Sequence, residues 1–521
     1  MNLAQTDLGM KDAQSRNKLA IRGLAYFVAG LAFLNTLYFV LRATCPVMRD
    51  DDWYFLDVFL RKAIDGTLGF ADFFVKRLGP DHAQPLFKLV LLGEWRYFGL
   101  DLTLGAILGV FAAAGCALVY LRLIMPKQGE RTDSACYLAW AAICALLFSL
   151  NGGTASQWTW PLNALLNITN LVILLFLLAT WHAHKTRHYM LLSVATLFLG
   201  FSSDDQALVT VIATVLTLLL MQWVDREQRN QPFWKIPLVI VVCMVVVRIA
   251  YRFFPVVGGG LQSQTFAHEL GLLIERFGDQ GWWMWAVYPL TVPVSDGSPF
   301  RFLGPTAWLA TVVVIGLVLI VAHVWFWRKA FRCQYNRTIF VAVATMLVIY
   351  GWAAGIVLFR VGYFGNWDVH APRYIVLYTG HLIALLLMWI ATRESAPQPS
   401  STQFRSVGRF LPVVGCLILL LLQIPLSVNA WRARPSLHLY YAKMAMQIDA
   451  LAADPRQHID CLPQLTFCSW PEHKRAELTR MLSQNELNVF SPRMQKMHSY
   501  LPKLRPAPVA SSNATSDKSG P

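Results

Sequence analysis

Three consecutive carboxylates, Asp50-Asp51-Asp52, are the residues of this sequence best suited to acid–base chemistry. They follow the first long apolar run, Leu24 to Leu41. Crowded like charges and a nearby apolar phase both raise the pKa of a carboxyl. A carboxylate tuned in this way can act as a general base or bind a metal ion. The alternative is a solvated loop in which Asp52 caps a helix from Trp53 to Ala63.

A second polar motif reads Gly-Pro-Asp-His-Ala-Gln-Pro, with Asp81 and His82 ahead of Pro85. The motif could form a helix N-cap, with the proline at the first helical position. His82 could equally be a ligand or an acid–base partner of the Asp cluster. The spacing alone does not decide between these roles.

The composition predicts which elements must position these motifs. The 521 residues are 56% hydrophobic and 14% charged, with a mean hydropathy of +0.44. Such a chain has too little polar surface for a water-soluble globule. The net charge of +15 is typical of basic cytoplasmic loops that contact anionic lipid. No basic tail or stacking motif indicates nucleic-acid binding.

Apolar runs near the length of a bilayer span recur along the chain, and we expect an all-α polytopic membrane protein with about eleven transmembrane helices. The first run is too heavily flanked by charge for a cleaved signal peptide. The predicted spans are 24–41, 102–125, 135–150, 162–181, 189–201, 207–223, 236–254, 302–327, 339–359, 374–391 and 410–426, two of them short.

The distribution of basic residues predicts the orientation. Lys11, Arg16, Lys18 and Arg22 precede the first span, which places the N-terminus in the cytoplasm. The remaining basic loops then alternate onto the same side, provided that 85–99 lies in the interface and does not cross. The first outer loop, 43–101, is expected to hold short interfacial helices at 53–63 and 68–76.

Polar, non-basic motifs gather in the predicted outer connections, and function commonly resides in such loops on a rigid scaffold. Asp204 and Asp205 start a span, where one carboxylate would complement the helix N-terminus. Outer basic residues need anionic partners, either a lipid-linked phosphate or, in the structural alternative, an Asp. The candidate substrate-binding residues are Asp50, Asp81, Lys88, Arg96, Asp204, Asp205, His370 and Arg373.

We expect three parts in the chain: a membrane domain at 1–428, a small helical extracytoplasmic domain at 429–500, and a disordered tail at 501–521. The small domain contains Cys461 and Cys468, which could close a disulfide loop in an oxidising compartment. That loop is expected to stabilise the domain and to leave the chemistry unaffected. The long outer connection 255–301, with a helix expected at 265–277, is expected either to anchor in the interface or to act as a mobile flap over a lipid-facing groove.

The first loop resembles the GT-C class of membrane glycosyltransferases, which includes the protein O-mannosyltransferases and the aminoarabinose transferases. The resemblance is carried by Asp51-Asp52-Trp53 after the first span, and by Asp81-His82-Ala83-Gln84-Pro85. The acidic pair is Asp-Asp where the mannosyltransferases have Asp-Glu, and His-Ala-Gln-Pro stands where they have a His-Pro-Pro type segment. These departures concern the subfamily and the sugar more than the class.

The resemblance implies a polyprenyl-phosphate-sugar donor and a glycan, lipid or protein acceptor at the outer face of the plasma (inner) membrane. Asp51 or Asp52 would be the general base, His82 a further catalytic residue, and Arg373 a phosphate partner, with Lys88 or Arg96 as further candidates. No cofactor is implied with certainty, and a divalent metal on the acidic cluster is compatible with the pattern.

Two other classes are compatible with the sequence. An O-antigen ligase or polymerase would depend on outer Arg and His residues, here His268, His370 and Arg373. A lipid-linked sugar transporter or flippase is less favoured, because intramembrane charges are few and no paired interrupted helices indicate an inverted repeat.

Overall fold

The computed structural model describes residues 3–77, 83–125, 133–225, 234–257, 266–278, 282–295, 305–394 and 405–504. Asp81, His82 and the last part of the predicted tail, 505–521, lie outside these ranges. Within the ranges the chain is almost entirely helical, as expected for the all-α class.

The helices are numbered in chain order. The first group is α1 (Leu3–Ala43), α2 (Asp52–Phe55), α3 (Arg61–Ile64), α4 (Pro85–Gly93), α5 (Thr103–Ile124), α6 (Ser134–Leu147), α7 (Gly152–Thr159), α8 (Pro161–Ala164), α9 (Leu166–Thr186), α10 (Tyr189–Ser202) and α11 (Asp204–Val224). The second group is α12 (Lys235–Phe253), α13 (Phe266–Phe277), α14 (Met284–Ser295), α15 (Pro305–Ala330), α16 (Arg337–Ile356), α17 (Gly362–Phe364), α18 (Pro372–Glu394), α19 (Arg405–Ala453), α20 (Glu472–Gln484) and α21 (Pro492–Met497). Single π-helical turns lie at Leu56–Leu60, Glu94–Phe98 and Val357–Val361, and 3₁₀ turns lie at Phe70–Phe74, Asn366–His370, Thr466–Ser469 and Asn488–Phe490.

Nine helices in the described ranges are long and apolar enough to cross a bilayer. They lie at Leu19–Ala43, Thr103–Ile124, Pro161–Thr186, Asp204–Val224, Lys235–Phe253, Thr306–Ala330, Arg337–Val361, Arg373–Arg393 and Pro412–Ala453. The two short predicted spans correspond to the shorter apolar helices α6 and α10. Large apolar side chains are exposed along α12 and α15, as in helices that face lipid. The chain is a multi-pass membrane protein.

Two local predictions are corrected by the structure. Residues 68–76 form a 3₁₀ turn and a two-residue strand, β1 (Lys76–Arg77), where an amphipathic helix was expected. Strand β1 pairs in parallel with β2 (Val256–Val257), so backbone N–H and C=O groups of this stretch form hydrogen bonds with a segment that is distant in the chain. The last predicted span, 410–426, and the start of the predicted extracytoplasmic domain, 429–500, lie on one continuous helix, α19.

The described chain divides into two compact units. The first comprises 1–44, 70–87 and 105–433, and the second comprises 45–69, 88–104 and 434–521. In the first unit, glycines permit close packing between apolar helices: Gly351 of α16 lies against Val209, and Gly380 of α18 lies against Ile349. Small residues at such positions let the helix backbones approach closely. In a membrane this packing matters, because the hydrophobic effect does not drive apolar helices together when lipid is equally apolar.

The second unit contains two parts of the predicted first loop together with the chain after residue 433. Its apolar core includes Trp53, Phe467 and Leu482. The disulfide Cys461–Cys468 predicted from the sequence is present in this unit.

Candidate active site

The segment that leads into the Asp cluster is held by one buried amide, the side chain of Asn488. Its Oδ1 accepts a hydrogen bond from the Met48 N–H at 3.2 Å. Its Nδ2 donates to the carbonyls of Pro46 at 2.8 Å and Leu100 at 2.7 Å. Both donor hydrogens and the acceptor of the amide are therefore used, which defines the path of the chain just before the cluster.

The disulfide loop of the second unit holds the Asp cluster itself. The Asp50 N–H donates to the Gln464 carbonyl at 2.7 Å, and the Thr466 hydroxyl donates to the Asp50 carbonyl at 2.9 Å. The Trp53 ring stacks on Phe467 with centroids 3.7 Å apart. Since Gln464, Thr466 and Phe467 all lie between Cys461 and Cys468, the disulfide constrains the cluster. The expectation that it has only a general stabilising role is incomplete.

Asp52 is the buried carboxyl of the cluster. Its side chain lies in the protein interior, with 1% of the residue surface exposed. Its Oδ2 accepts the Arg49 N–H at 3.1 Å. Burial raises the pKa of the Asp52 carboxyl to about 7, although the Arg49 N–H and guanidinium lower it; the charges of Asp50 and Asp51 raise it further. Near neutral pH this carboxyl exists in both protonation states, as general acid–base catalysis requires.

Asp50 and Asp51 differ from Asp52 because both are only partly buried. An Asp50 Oδ2 lies 3.8 Å from the Arg49 guanidinium. Asp51 is the N-cap of α2, so the predicted N-cap at Asp52 is wrong by one residue. Asp52 is instead the first residue of α2, and its carboxylate accepts a hydrogen bond from the Arg49 N–H. The cluster therefore presents one buried carboxyl and two accessible ones.

The basic candidates of the second unit are not equivalent. Lys88 is buried, with its Nζ 5.6 Å from the centroid of the Phe59 ring, whereas Arg96 is exposed. Lys76, another basic residue of the predicted first loop, belongs to the first unit and donates from its buried Nζ to the Tyr251 carbonyl at 2.6 Å. Burial lowers the pKa of Lys76. Arg96 is the candidate of this group that is open to an anionic headgroup.

Asp204 and Asp205 each have a protein partner. Asp204 Oδ1 accepts the N–H groups of Ala83 at 3.2 Å and Gln84 at 3.3 Å, while Asp205 lies 3.3 Å from the Arg248 guanidinium. The carboxylate of Asp204 thus binds the backbone just before α4. These contacts give both residues a structural role, whereas the sequence predicted such a role for only one of the two.

The predicted phosphate partner Arg373 lies beside a second arginine. Arg360 Nε is 3.1 Å from an Asp368 carboxylate oxygen, and Arg373 is 3.9 Å from the other oxygen of the same carboxylate. The His370 ring lies 5.3 Å from that of Tyr288. Two guanidinium groups on one carboxylate leave an excess of positive charge, which suits a phosphate. We call Arg360, Asp368 and Arg373 the arginine cluster.

Sequence reasoning did not select Arg360, Asp368 or Asn488. The first two lie in the loop Arg-Val-Gly-Tyr-Phe-Gly-Asn-Trp-Asp-Val-His-Ala-Pro-Arg, and their opposite charges in one short connection are a usable signal. Asn488 carries no signal, because its partners lie more than 380 positions away along the chain.

The structure assigns the sequence-predicted residues to different units. Asp50, Asp51, Asp52, Lys88 and Arg96 belong to the second unit, and Asp204, Asp205, His370 and Arg373 belong to the first. In the described ranges, no group of three or more His, Cys, Asp or Glu side chains could hold a metal ion. The roles assigned by sequence to Asp81 and His82 remain predictions.

Comparison with known proteins found no matching protein-family model, curated protein or solved structure.

Proposed function

We propose that this membrane protein is a glycosyltransferase of the GT-C type, which transfers a sugar from a polyprenyl-phosphate donor to an acceptor hydroxyl. The observation that carries the proposal is the Asp52 carboxyl, whose pKa burial raises to about 7. A base with a pKa near the working pH combines the required ionised form with a strong affinity for the acceptor proton.

The two acidic residues are assigned different parts of the reaction. Asp52 takes the acceptor proton after its side chain leaves the Arg49 N–H, because while it is bonded there only 1% of the residue is exposed. Asp51 is more accessible and binds the acceptor hydroxyl. In an inverting displacement the oxygen attacks the anomeric carbon, the bond to the donor phosphate breaks, and polyprenyl phosphate leaves with the bonding electrons.

The role of phosphate partner, predicted from the sequence for Arg373, is part of this proposal and is argued from the arginine cluster of the first unit alone. Arg373 has 35% of its side chain exposed and lies 3.9 Å from Asp368, so it can meet a ligand while Arg360 keeps the carboxylate paired. Arg96 is a further headgroup contact. By the distribution of basic loops, the N-terminus is cytoplasmic and these residues act at the outer face of the plasma membrane, in glycan biosynthesis of the cell envelope.

The decisive experiment measures sugar transfer by the purified full-length protein in liposomes that contain synthetic polyprenyl-phosphate sugars. Asp52→Asn should lower the rate about 10²–10⁴-fold with donor binding retained. The wild-type rate should rise with pH and level off above about pH 7, where Asp52 is ionised. Full activity of both Asp51→Asn and Asp52→Asn would remove the central claim.

Asp57→Asn is the matched control for these variants. Asp57 is a buried carboxylate one helical turn further along, and it pairs with Lys474 at 2.9 Å and Arg61 at 3.2 Å. Its replacement should lower thermal stability, because it leaves the Lys474 ammonium without its partner. The rate of the folded fraction should stay near that of the wild type.

The acceptor is identified by comparing the glycans of the cell envelope, secreted protein and lipid-linked sugars with and without this protein.

A specific observation also supports the alternative of a ligase- or polymerase-like enzyme: His370 lies in the loop that carries the arginine cluster. In that case Arg373 and His370 would be indispensable and the Asp cluster dispensable.

A further inference from the structure

A cavity of about 830 Å³ lies among α14, α15 and α16 of the first unit. Its walls are largely apolar and aromatic, and they include Leu290, Ile320, Val324 and Phe331. This volume falls within the range of about 300–1,000 Å³ in which proteins bind small molecules. A ligand with a long apolar part would fit these walls.

One part of the cavity is strongly basic. Arg328 and Arg332 both line it, the first near the end of α15 and the second in the turn just after it, and both are exposed. No ion pair in the described ranges joins either guanidinium to a carboxylate. Lys329 lies on the same turn but does not line the cavity. The charge therefore indicates an anionic group at this part of the ligand.

A histidine on the cavity wall adds a hydrogen-bond acceptor. His323 Nδ1 lies 2.7 Å from the Leu319 carbonyl, and since a carbonyl only accepts, this nitrogen carries the proton. The neutral ring then offers Nε2 as an acceptor, and Nε2 has no hydrogen-bond partner in the described part of the chain. With only 8% of His323 exposed, this acceptor belongs to a buried residue of the cavity wall. A rise of 1.5 Å per residue places His323 about 7.5 Å along α15 from Arg328.

We propose that this cavity binds an anionic phospholipid whose headgroup carries hydroxyl groups. Its phosphate contacts Arg328 and Arg332, a headgroup hydroxyl donates to His323 Nε2, and the acyl region covers the apolar wall. Basic pockets between membrane helices are established binding sites for anionic headgroups. The site is independent of the proposed glycosyl transfer, because none of its residues belongs to the Asp cluster or the arginine cluster.

The test uses the full-length protein, purified in detergent and depleted of lipid, with dioleoylphosphatidylglycerol added while thermal unfolding is followed. A ligand that binds the folded state raises the melting temperature in a concentration-dependent way. The Arg328→Ala/Arg332→Ala double variant should need about 30-fold more lipid for half of the shift, from about 1 kcal/mol per arginine. Lys329→Ala removes the same kind of charge from the same helix end and should leave the half-saturating concentration unchanged.

The contact between a headgroup hydroxyl and His323 is tested by comparing two lipids that differ in that hydroxyl. Dioleoylphosphatidylmethanol carries the same charge and no hydroxyl, so it should bind the wild type about fivefold more weakly than phosphatidylglycerol. His323→Phe keeps an aromatic ring and should bind the two lipids equally. If phosphatidylmethanol and phosphatidylglycerol act equally on the wild type, the hydroxyl contact is overturned.

Two further results would overturn the site as a whole. One is an equal shift with zwitterionic phosphatidylcholine, and the other is equal behaviour of the double arginine variant and Lys329→Ala. If the double variant cannot be purified, Val324→Trp serves the same purpose, because it fills the cavity and retains both arginines. This variant should lose the phosphatidylglycerol shift, and a retained shift would count against the proposal.

Discussion

The Met48 N–H and the Asn488 side chain, 440 positions apart in the chain, form a buried hydrogen bond of 3.2 Å. Through this bond and two more from the same amide, a residue near the C-terminal end determines the backbone path just before the Asp cluster. The position of the candidate base in the second unit therefore depends on a tertiary contact and not on the local sequence.

Asn488→Ala should destabilise the second unit strongly. The change leaves the Met48 N–H and the carbonyls of Pro46 and Leu100 without their partner, at about 1–3 kcal/mol for each buried group that stays unsatisfied. Asn488 also has a positive φ of 51°, which alanine tolerates poorly. Asn488→Gly separates the two effects, because it relieves the backbone and still lacks the amide. Thermal unfolding should rank wild type above Gly and Gly above Ala; a Gly variant as stable as the wild type would contradict the role of the amide.

Asp52→Asn should stabilise the folded protein, and more so at alkaline than at acid pH. Asp52 has a folded-state pKa of about 7 against an ordinary value of 3.8, so the folded state binds the extra proton between these values. Stability therefore falls as pH rises from about 4 to about 7 and is level above that range. The asparagine cannot ionise and avoids this loss, which corresponds to at most about 4 kcal/mol.

The measurement is the difference in melting temperature between Asp52→Asn and wild type at about pH 5 and about pH 8.5, on either side of the folded-state pKa. The difference should be larger at the alkaline value. A variant less stable than wild type at both values would show that the ionised carboxylate is needed for the fold. Stabilisation combined with loss of transfer is the pattern expected where a strained group is retained for function.

Arg373→Ala and Arg360→Ala should have different effects. Arg360 makes the closer contact to Asp368, at 3.1 Å, so Asp368 keeps a partner when Arg373 is removed. Arg373→Ala should therefore retain a near-wild-type melting temperature and require more donor for half-maximal transfer, whereas Arg360→Ala should lose stability. Donor titrations with melting curves test this difference. A large loss of stability in Arg373→Ala would instead indicate a structural ion pair.

The membrane orientation predicted from basic loops can be tested with single cysteines at exposed positions. We expect an impermeant maleimide to label Thr67→Cys and Glu472→Cys in intact cells, and Lys185→Cys only after permeabilisation. All three residues are exposed in the structure, so a difference in labelling would reflect the side of the membrane and not burial in the protein. Labelling of Thr67→Cys and Lys185→Cys from the same side would contradict the predicted topology.

The sequence was sufficient for the long apolar helices because each carries its own apolar run, as Thr103–Ile124 and Lys235–Phe253 show. It was also sufficient for the Cys461–Cys468 pairing, since the two cysteines are close in the chain and stand apart from the others. The burial of Asp52 could not be predicted. It results from packing that involves residues far along the chain, and the residue before it, Asp51, is also an aspartate but stays partly accessible. Periodicity in the sequence does not encode such a difference.

Reduction of the Cys461–Cys468 disulfide should impair the candidate active site as well as the stability of the second unit. The bridge closes the loop whose Gln464 and Thr466 hold both backbone groups of Asp50. Cys461→Ser/Cys468→Ser should lose about 2–4 kcal/mol of stability, and sugar transfer should fall even at temperatures where the protein stays folded. Thr466→Val is the matched variant, because it retains the disulfide and removes only the hydroxyl that donates to Asp50. It should show part of the activity loss with little change in melting temperature. Unchanged transfer in the double serine variant, measured well below its melting temperature, would show that the loop stabilises the unit without positioning the Asp cluster.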